Sequence, residues 1–497
     1  MAVMIQAYNK RKKSYINLIM LLRVIGYLLM IEALFMLIPF ITAIIYSESS
    51  IWPFLVCAVI TGVSGGGMTL LRPRSKEMGK REAILLTGLT WIILSMFGML
   101  PFLFCGTHLS ITDAFFETMS GFTTTGASVL NSLSGVPKAI LIWRCIVQWI
   151  GGLGIILFTL AVLPMLNYSG GMQLFNAEVT GITHDKLRPR VSYTAKGLWG
   201  VYIILTAILI MLLSFSDMDF FDAVCHGLST MSTGGFSTND AHISTWNSVY
   251  IKTVMCIFMF LGGVNFSLMY NLVSGKKINP LKNTAFKWYI SILAICYLGL
   301  VINILFIESF SNWKHLIIDP LFHSISILSS TGVTDPNFKS WGPVSLVLLL
   351  IMMIMGACAG STSGGVKIDR IVILFKFIKN EFYKMMHPSS VTTVIINGKG
   401  TNPAIVQKTL AFIFLYVMVI GIGGLALSLM GLPLSDAFFC SLSAISNTGL
   451  GTDTTGFSGN YALVPDIAKW LLAMIMLVGR LELFTILLIF TPTFWKK

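Results

Sequence analysis

Four segments of the sequence carry hydroxyl and glycine residues at spacings suited to cation coordination. In each segment a Ser follows an Asp by seven positions, a Ser or Thr follows it by ten, and a Gly follows it by thirteen. Four copies in one register indicate an internal repeat. The four aspartates are Asp113, Asp222, Asp319 and Asp436, and the four glycines are Gly126, Gly235, Gly332 and Gly449.

These segments predict rings of oxygen ligands for a monovalent cation. Gly tolerates backbone angles that turn carbonyl groups toward an axis, and such rings replace the hydration shell of an ion. No Asp or Glu stands just before the glycines, which disfavours a carboxylate site for a divalent ion. The alternative is four capped outer loops, but these have no need of a Gly at one fixed offset. The predicted ligand positions are Thr124, Thr125, Gly126, Gly234, Gly235, Ser330, Thr331, Gly332, Asn447, Thr448 and Gly449.

A late apolar stretch is interrupted by small and hydroxyl residues. Glycine and hydroxyl residues at this density weaken a helix, and irregular backbone at membrane depth is tolerated where it lines a water-filled path or is buried in protein. The break predicts a mobile loop that can block a pore. A small-residue face for helix packing is the alternative interpretation. The predicted gate residues in this break are Gly360, Ser361, Thr362, Ser363, Gly364 and Gly365.

Two arginines stand inside apolar segments. Arg480 lies roughly 20 Å into the last apolar run, and an arginine at that depth is costly and normally faces a cavity. Glu482 is two positions away, and residues two apart on a helix do not face each other. We expect Arg480 to line the pore below the ligand rings, as a barrier to cations. Arg144 stands nearer a membrane surface, where its side chain can extend to water.

Composition indicates that membrane spans position these residues. The chain is 55% hydrophobic and only 11% charged, against about 25% charged residues in soluble domains. Its uncharged runs are long enough to cross a bilayer as helices. The predicted spans are residues 15–46, 51–71, 83–107, 138–166, 197–216, 246–274, 288–307, 342–366, 409–431 and 467–490.

Each repeated segment falls between the two members of a span pair. It predicts a short pore helix of about nine residues, capped by its Asp, after which the chain returns as extended backbone. The fold class is then an all-α membrane protein with four pseudo-symmetric span–pore helix–span repeats around a central pore. The predicted units are an N-terminal two-span hairpin at 1–80 and repeats 1 to 4 at 81–180, 181–280, 281–395 and 396–497.

The distribution of charge predicts topology. Most of the 34 Lys and Arg residues fall on one side of the predicted spans, which places both termini in the cytoplasm. The same asymmetry explains the net charge of +13 without a nucleic acid. It also leaves basic loops that can meet anionic lipid or an acidic cytoplasmic partner.

Nothing in the sequence predicts an enzyme, a bound cofactor or a metal site beyond K⁺ at the ligand rings. The eight cysteines form no CxxC pair, and the seven histidines show no metal-ligand spacing. An intramembrane enzyme would need a nucleophile with a base, or a metal cluster, at membrane depth. A coupled secondary transporter stays open as an alternative, because broken helices and repeats also occur in such proteins.

The four segments, together with three further motifs, resemble the TrkH/KtrB superfamily of potassium transporters. The motifs are Gln148–Ile155, Gly360–Lys367 and Gly479–Phe484. The resemblance runs from about residue 15 to the end, and the extra N-terminal hairpin is similar to the TrkH branch. It implies K⁺ uptake through a gated selectivity filter, with Gly126 pointing to K⁺ over Na⁺. The segments lack the Gly-Tyr-Gly pattern of strict K⁺ channels, so discrimination against Na⁺ is expected to be modest.

The resemblance also implies partners and a location. Superfamily members form homodimers and bind a cytosolic ring of nucleotide-binding regulatory subunits, here a TrkA-like partner. The break at Gly360–Gly365 matches their intramembrane gating loop, and Arg480 matches their pore arginine. A multi-pass protein of the cell membrane is expected, in the inner membrane if the source is Gram-negative. A Na⁺- or H⁺-coupled symporter is the alternative to a channel.

Overall fold

A computed structural model describes residues 16–73, 78–152, 154, 191–275, 279–307, 313–334, 341–451 and 460–495. The N-terminal basic cluster and the distal part of the fourth predicted span lie outside these residues, as do parts of several basic loops. Six helices within the described ranges are long and apolar enough to cross a membrane. The all-α membrane fold class is therefore confirmed.

The chain begins with a helical hairpin, α1 (Leu18–Ile45) and α2 (Ile51–Thr69). The two helices cross where two glycines meet: a Cβ on Gly26 would lie 2.7 Å from the carbonyl oxygen of Gly65, and the reverse contact is equally short. A side chain at either position would force the helices apart. The turn between them fastens the hairpin to the next unit, since the Glu48 carboxylate accepts bonds from the backbone N–H groups of Lys138 (2.5 Å) and Ala139 (3.2 Å).

Each repeat opens with a long apolar helix. These helices expose large apolar side chains such as Ile295 and Phe414 on their outer faces, as expected for surfaces that face lipid. A short helix α4 (Leu100–Phe104) extends the first of them. The four first spans are α3 (Lys80–Gly98), α7 (Val191–Ser214), α11 (Thr284–Ile307) and α15 (Pro403–Leu429).

A shorter re-entrant helix follows each first span. These helices have 12 to 16 residues rather than about nine. The expected capping by Asp is wrong in detail: Ser110 caps the first helix by accepting from the backbone N–H of Asp113, and Asp319 lies seven residues into the third. The re-entrant helices are α5 (Ile111–Phe122), α8 (Phe220–Met231), α12 (Trp313–Leu328) and α16 (Leu434–Ser446).

The second spans stop part-way. They are α6 (Lys138–Gly152), α9 (Val249–Gly262), α13 (Gly342–Met355) and α17 (Asp466–Arg480). The chain then turns by 101° into α10 (Phe266–Val273) after α9, and by 119° into α18 (Leu483–Ile489) after α17. We expected only the 342–366 span to be broken, and this is corrected: the spans predicted at 246–274 and 467–490 are also bent.

Close packing accompanies the ends of α6 and α17, and backbone conformation accounts for the chain reversals at residues 367 and 482. A Cβ on Gly479 would overlap the carbonyl oxygen of Ile445 at the end of α16, and one on Gly151 would overlap that of Phe122 at the end of α5. Lys367 and Glu482 then adopt left-handed angles, with φ of 75° and 54°, which an α-helix cannot contain.

The order of packing closes a circle. The second span of each repeat contacts the re-entrant helix of the next repeat, as α6 contacts α8 and α9 contacts α12. The series continues with α13 on α16 and returns to the start with α17 on α5. All four re-entrant helices are thereby held around one centre.

The third repeat extends beyond the membrane-sized core. A loop at 356–367 leads into α14 (Ile368–Met386), which is followed by a two-stranded hairpin of β1 (Ile395–Ile396) and β2 (Lys399–Gly400). Asn397 and Gly398 both have positive φ, as a tight hairpin turn requires. A last short helix, α19 (Pro492–Trp495), ends the described chain.

Candidate functional site

Four turns with the same backbone conformation follow the re-entrant helices. In each turn the glycine of the repeated motif has positive φ, and so does the residue two positions before it. This alternation turns successive carbonyl groups in different directions from those in a strand or helix. The residues with positive φ are Thr124, Gly126, Thr233, Gly235, Ser330, Gly332, Asn447 and Gly449.

The same hydrogen bond anchors every turn to its helix. The backbone N–H before each glycine donates to the carbonyl of the Ser at the seventh position: Thr125 to Ser120 at 2.8 Å, and Gly234 to Ser229 at 2.9 Å. The equivalents in repeats 3 and 4 measure 2.8 and 3.1 Å. The hydroxyl at the tenth position forms a hydrogen bond with the hydroxyl two positions later in three repeats, namely between Thr123 and Thr125, Ser329 and Thr331, and Ser446 and Thr448.

The four turns meet in a closed ring. A Cβ on Gly126 would overlap the carbonyl oxygen of Gly234, and one on Gly235 would overlap that of Thr331. The series continues from Gly332 to Thr448 and closes from Gly449 to Thr125. Each glycine therefore faces a carbonyl oxygen of the next repeat, which requires both the absence of a side chain and the left-handed backbone.

Repeat 2 lacks one of the hydroxyl residues of the pattern, and a side chain from repeat 1 occupies the space of the missing residue. Gly234 stands where the other repeats have Thr, and the Gln148 side chain fills the vacated space. The Gln148 amide donates to the Gly234 carbonyl at 2.7 Å and accepts from the Ser229 hydroxyl (2.9 Å) and the Phe236 N–H (3.3 Å). Sequence reasoning had given Gln148 no role beyond its place in a motif.

The loop at 356–367 lies against the inner side of the turns. Thr362 donates through its hydroxyl to the Gly262 carbonyl (3.1 Å) and accepts from the Thr233 hydroxyl (3.3 Å). The Gly364 N–H donates to the Ser330 hydroxyl at 2.6 Å. The loop thus contacts the turns of two repeats directly.

The remaining predicted gate residues hold the loop in shape. The Gly360 carbonyl accepts from the Phe266 N–H (2.9 Å), and the Ser361 hydroxyl donates to the Cys358 carbonyl (2.6 Å). The Ser363 hydroxyl accepts from Ser330 at 3.2 Å. Gly365 has φ of 77° and packs against Gly356.

Arg480 joins this loop to repeat 1. Its guanidinium donates to the carbonyl oxygens of Thr362 (2.7 Å), Gly151 (2.6 Å) and Gly152 (2.5 Å). The carboxylate of Glu482 lies 2.5 Å from the guanidinium of Arg370. The positive charge of Arg480 is therefore placed among carbonyl dipoles beneath the four turns.

A pattern at the ends of three second spans accompanies this placement, and sequence reasoning missed it. The helices α6 and α9 each end at a pair of glycines, Gly151–Gly152 and Gly262–Gly263, whereas α17 ends at Gly479 followed by Arg480. One long side chain of repeat 4 therefore stands where repeats 1 and 2 have a glycine.

Arg144 does not extend to water, contrary to expectation. It is only 2% exposed, and its Nε lies 2.8 Å from the carboxylate of Glu117, which is fully buried. The pair adjoins an outer cavity of about 170 Å³ that is also lined by Gly126 and Gly235. The signal available in the sequence was an acidic residue inside a re-entrant helix, four positions after Asp113.

Asp240 lies in the same outer cavity. Burial opposes ionisation of this carboxyl, but hydrogen bonds from Ser132, Leu133 and Ser134 outweigh it and lower its pKa. The Leu133 N–H and the Ser132 hydroxyl donate at 2.6 and 2.7 Å. Asp240 therefore places a negative charge beside the outer face of the ring.

Broken spans and a ring of glycine turns at the centre of a many-span bundle define a membrane transport protein for ions. The chain matches the TrkH family, described as a cation transport protein, over residues 56–497. Because this match covers most of its length, the chain belongs to that family. The family consists of transporters, so the expectation that the chain is not an enzyme is confirmed.

Relatives match along their whole length. The Trk system potassium uptake protein TrkH of Escherichia coli (strain K12) is 36% identical, with 96% of this chain and 99% of that protein covered. TrkI of Halomonas elongata is 30% identical, with 96% and 97% covered. The crystal structure of the potassium transporter TrkH from Vibrio parahaemolyticus superposes with a TM-score of 0.87 at 33% identity, covering 96% of this chain and all of that one.

Proposed function

We propose that this chain takes up potassium across the cell membrane through a selectivity filter formed by the four turns. The observation that carries the proposal is the closed ring, in which the glycine of each turn faces a carbonyl oxygen of the next repeat. Rings of backbone carbonyls replace the water around an alkali ion. The filter residues are those predicted, from Thr124–Gly126 in repeat 1 to Asn447–Gly449 in repeat 4.

Electrostatics favour a cation at this point. The C-terminal ends of α5, α8, α12 and α16 all lead into the turns, and the carboxyl end of a helix carries a partial negative charge. Four such ends stabilise a positive ion that has lost part of its water. These helix dipoles stabilise the ion without an acidic side chain in the filter. The ion is therefore bound weakly enough to leave.

The loop at Gly360–Gly365 and Arg480 serve as the gate beneath this filter. The loop bonds to Thr233 and Ser330 from below, and Arg480 fastens it to repeat 1. A cation leaving the filter inward meets both an obstructing backbone and a guanidinium charge. Conduction then requires the loop to move and Arg480 to exchange its carbonyl partners.

Coupled transport of K⁺ with Na⁺ or H⁺ is the second candidate function. Bent spans at membrane depth favour it, because unwound helices at mid-membrane are typical of secondary transporters. The two candidates differ in whether K⁺ flux depends on a second ion gradient. We favour the gated pore, since the four turns provide one continuous ring of ligands.

Membership of this family supports a further proposal about the partners and the location of the protein. Relatives named as Trk system proteins support membership of a multi-component uptake system. We propose a homodimer with both termini in the cytoplasm, regulated by a TrkA-like nucleotide-binding ring on that side. The basic residues around α14 and the β1–β2 hairpin give that side a surface for an acidic partner or lipid headgroups.

Flux in proteoliposomes tests the proposal. Purified protein should admit Rb⁺ down its gradient with no Na⁺ or pH gradient, and expression should restore growth of a K⁺-uptake-deficient strain at low external K⁺. Gly235→Asp should abolish both, because its side chain would overlap the Thr331 carbonyl. Unaltered flux in that variant contradicts the filter assignment, and a strict requirement for a second ion gradient favours the coupled carrier.

A further inference from the structure

A buried ion pair lies immediately outside the proposed filter. Arg144 of α6 and Glu117 of α5 are 2.8 Å apart, and their side chains are 2% and 0% exposed. Removing two charges from water is costly, and such a pair seldom adds net stability over an apolar one of the same size. An ion pair at this position is therefore expected to have a function other than stabilising the fold.

The hydrogen bonds of the pair reach the chain segments that leave the filter. Glu117 accepts from the Ser128 hydroxyl (3.0 Å) and from the Val129 N–H (2.8 Å). Arg144 donates to the same Ser128 hydroxyl at 3.1 Å and to the Ser237 carbonyl at 3.3 Å. Ser128 and Ser237 each stand two positions after a filter glycine, in repeats 1 and 2.

Two further contacts widen this network. The Arg144 guanidinium lies 4.1 Å from the ring centre of Phe236, the residue directly after Gly235. The Ser128 carbonyl accepts from the Tyr461 N–H at 2.7 Å, and the Tyr461 hydroxyl donates to the Leu450 carbonyl at 2.9 Å. The contacts of Arg144, Ser128 and Tyr461 therefore connect the outer ends of the filter turns in repeats 1, 2 and 4.

We propose that Arg144, held by Glu117, is a positioning residue that fixes the width of the outer filter and thereby its preference for K⁺ over Na⁺. This inference rests on the filter assignment made above. Where selectivity depends on the size of the cavity, a ring of carbonyls discriminates between the two ions by resisting contraction around the smaller one. The fork of the guanidinium, which bonds to a carboxylate, a hydroxyl and a carbonyl at once, supplies that resistance between repeats 1 and 2.

A second buried ion pair provides the matched control. Lys252 of α9 lies 2.8 Å from Asp319 of α12, with side chains 5% and 10% exposed. It joins a second span to the re-entrant helix of the next repeat, whereas the first pair joins two helices of repeat 1, and Asp319 stands 13 positions before the filter glycine of its repeat. Loss of either pair should affect folding to a similar extent, whereas only the first should affect selectivity.

The experiment compares Rb⁺ and Na⁺ flux in proteoliposomes for Arg144→Met, Arg144→Lys and Lys252→Met. Arg144→Met should lower the Rb⁺/Na⁺ flux ratio about fivefold or more. Arg144→Lys keeps the charge but loses the fork, so it should also lower the ratio, by a smaller factor. Lys252→Met should leave the ratio within about twofold of the wild-type value, even where total flux falls.

Three results would overturn the inference: an unchanged ratio in both Arg144 variants, an equal fall in Lys252→Met, or a ratio fully restored by lysine. The last would assign the effect to charge alone. If Arg144→Met does not fold, Arg144→Lys and Glu117→Gln provide the test instead, because Lys keeps the positive charge and Gln keeps the size of the side chain. Absence of Rb⁺ flux in the wild-type protein would instead refute the proposed function itself.

Discussion

The guanidinium of Arg480 donates a hydrogen bond of 2.7 Å to the carbonyl oxygen of Thr362, and Thr362 donates in turn to the carbonyl oxygen of Gly262. The same guanidinium reaches Gly151 and Gly152. One side chain of repeat 4 is thereby joined to repeats 1, 3 and 2 beneath the filter. Any movement that opens the path beneath the filter must break several of these hydrogen bonds together.

Replacing Arg480 by methionine should open the path. The variant removes both the charge that repels cations and the bonds that hold the loop beneath the turns, so Rb⁺ flux without any regulatory subunit should rise about tenfold. Rb⁺ uptake into proteoliposomes measures it. Lys408→Met removes an exposed positive charge at the start of α15 and should leave flux unchanged. Equal flux in wild type and Arg480→Met contradicts a gating role.

Alanine at Gly235 should be far more damaging than alanine at Gly421. Gly235 has φ of 82°, and a Cβ there would overlap the Thr331 carbonyl, whereas nothing lies within 4 Å of a Cβ on Gly421 in α15. Gly235→Ala should reduce Rb⁺ flux at least tenfold, with the gel-filtration profile of the wild-type protein retained. Gly421→Ala should transport normally, with a slight gain in helix stability. Similar activity in the two variants would show that Gly235 is not at a crowded filter.

Sequence reasoning succeeded where local spacing carries the information. The offset from Asp113 to Gly126 and its three copies follow from one backbone turn repeated four times, so a single chain is enough to expose it. Apolar run length gave the first spans for the same reason. The breaks after Gly262 and Arg480 were not predicted, because the sequence is apolar on both sides of each break. The length of an apolar run does not show where a helix bends.

Roles that depend on a partner distant in sequence were not predictable. Arg144 was expected to reach water because depth along an apolar run says nothing about Glu117, 27 positions earlier. Gln148 fills a space opposite Gly234, 86 positions later. The first contact depends on how two helices of repeat 1 pack together, and the second on how repeat 1 packs against repeat 2, which only the three-dimensional arrangement reveals.

The link between Asp240 and the loop at Ser132–Ser134 should resist mild acid. The folded-state pKa of Asp240 is lowered, so its contribution to stability is complete above the usual carboxyl range and is lost only as pH falls through the lowered value. The difference in thermal unfolding midpoint between wild type and Asp240→Asn should be constant from pH 8 to about pH 5 and should shrink below about pH 4. A difference that already declines between pH 7 and pH 5 would contradict the lowered pKa.

The pairing of Gln148 with Gly234 predicts a compensating double variant. A Cβ on Gly234 would overlap the Gln148 side chain, yet Gly234 itself does not have positive φ, so its backbone accepts a side chain. Gly234→Ala alone should destabilise the protein and impair flux. Gln148→Ala alone leaves the Gly234 carbonyl and the Ser229 hydroxyl without their partner and should cost about 2 kcal/mol.

Together the two changes should be less harmful than their sum. With Gln148 shortened, the space it filled can take a side chain at position 234, as the Thr side chains do at the equivalent places of the other repeats. Thermal unfolding in detergent should show a favourable coupling of about 1–3 kcal/mol for the pair, and Gly234→Thr in the Gln148→Ala background should recover part of the Rb⁺ flux. Gly126→Ala is the contrasting case, because its overlap is with a backbone carbonyl and its φ is 84°, so no side-chain change should rescue it. Strict additivity at positions 148 and 234 would mean that Gln148 does not stand in for the missing threonine.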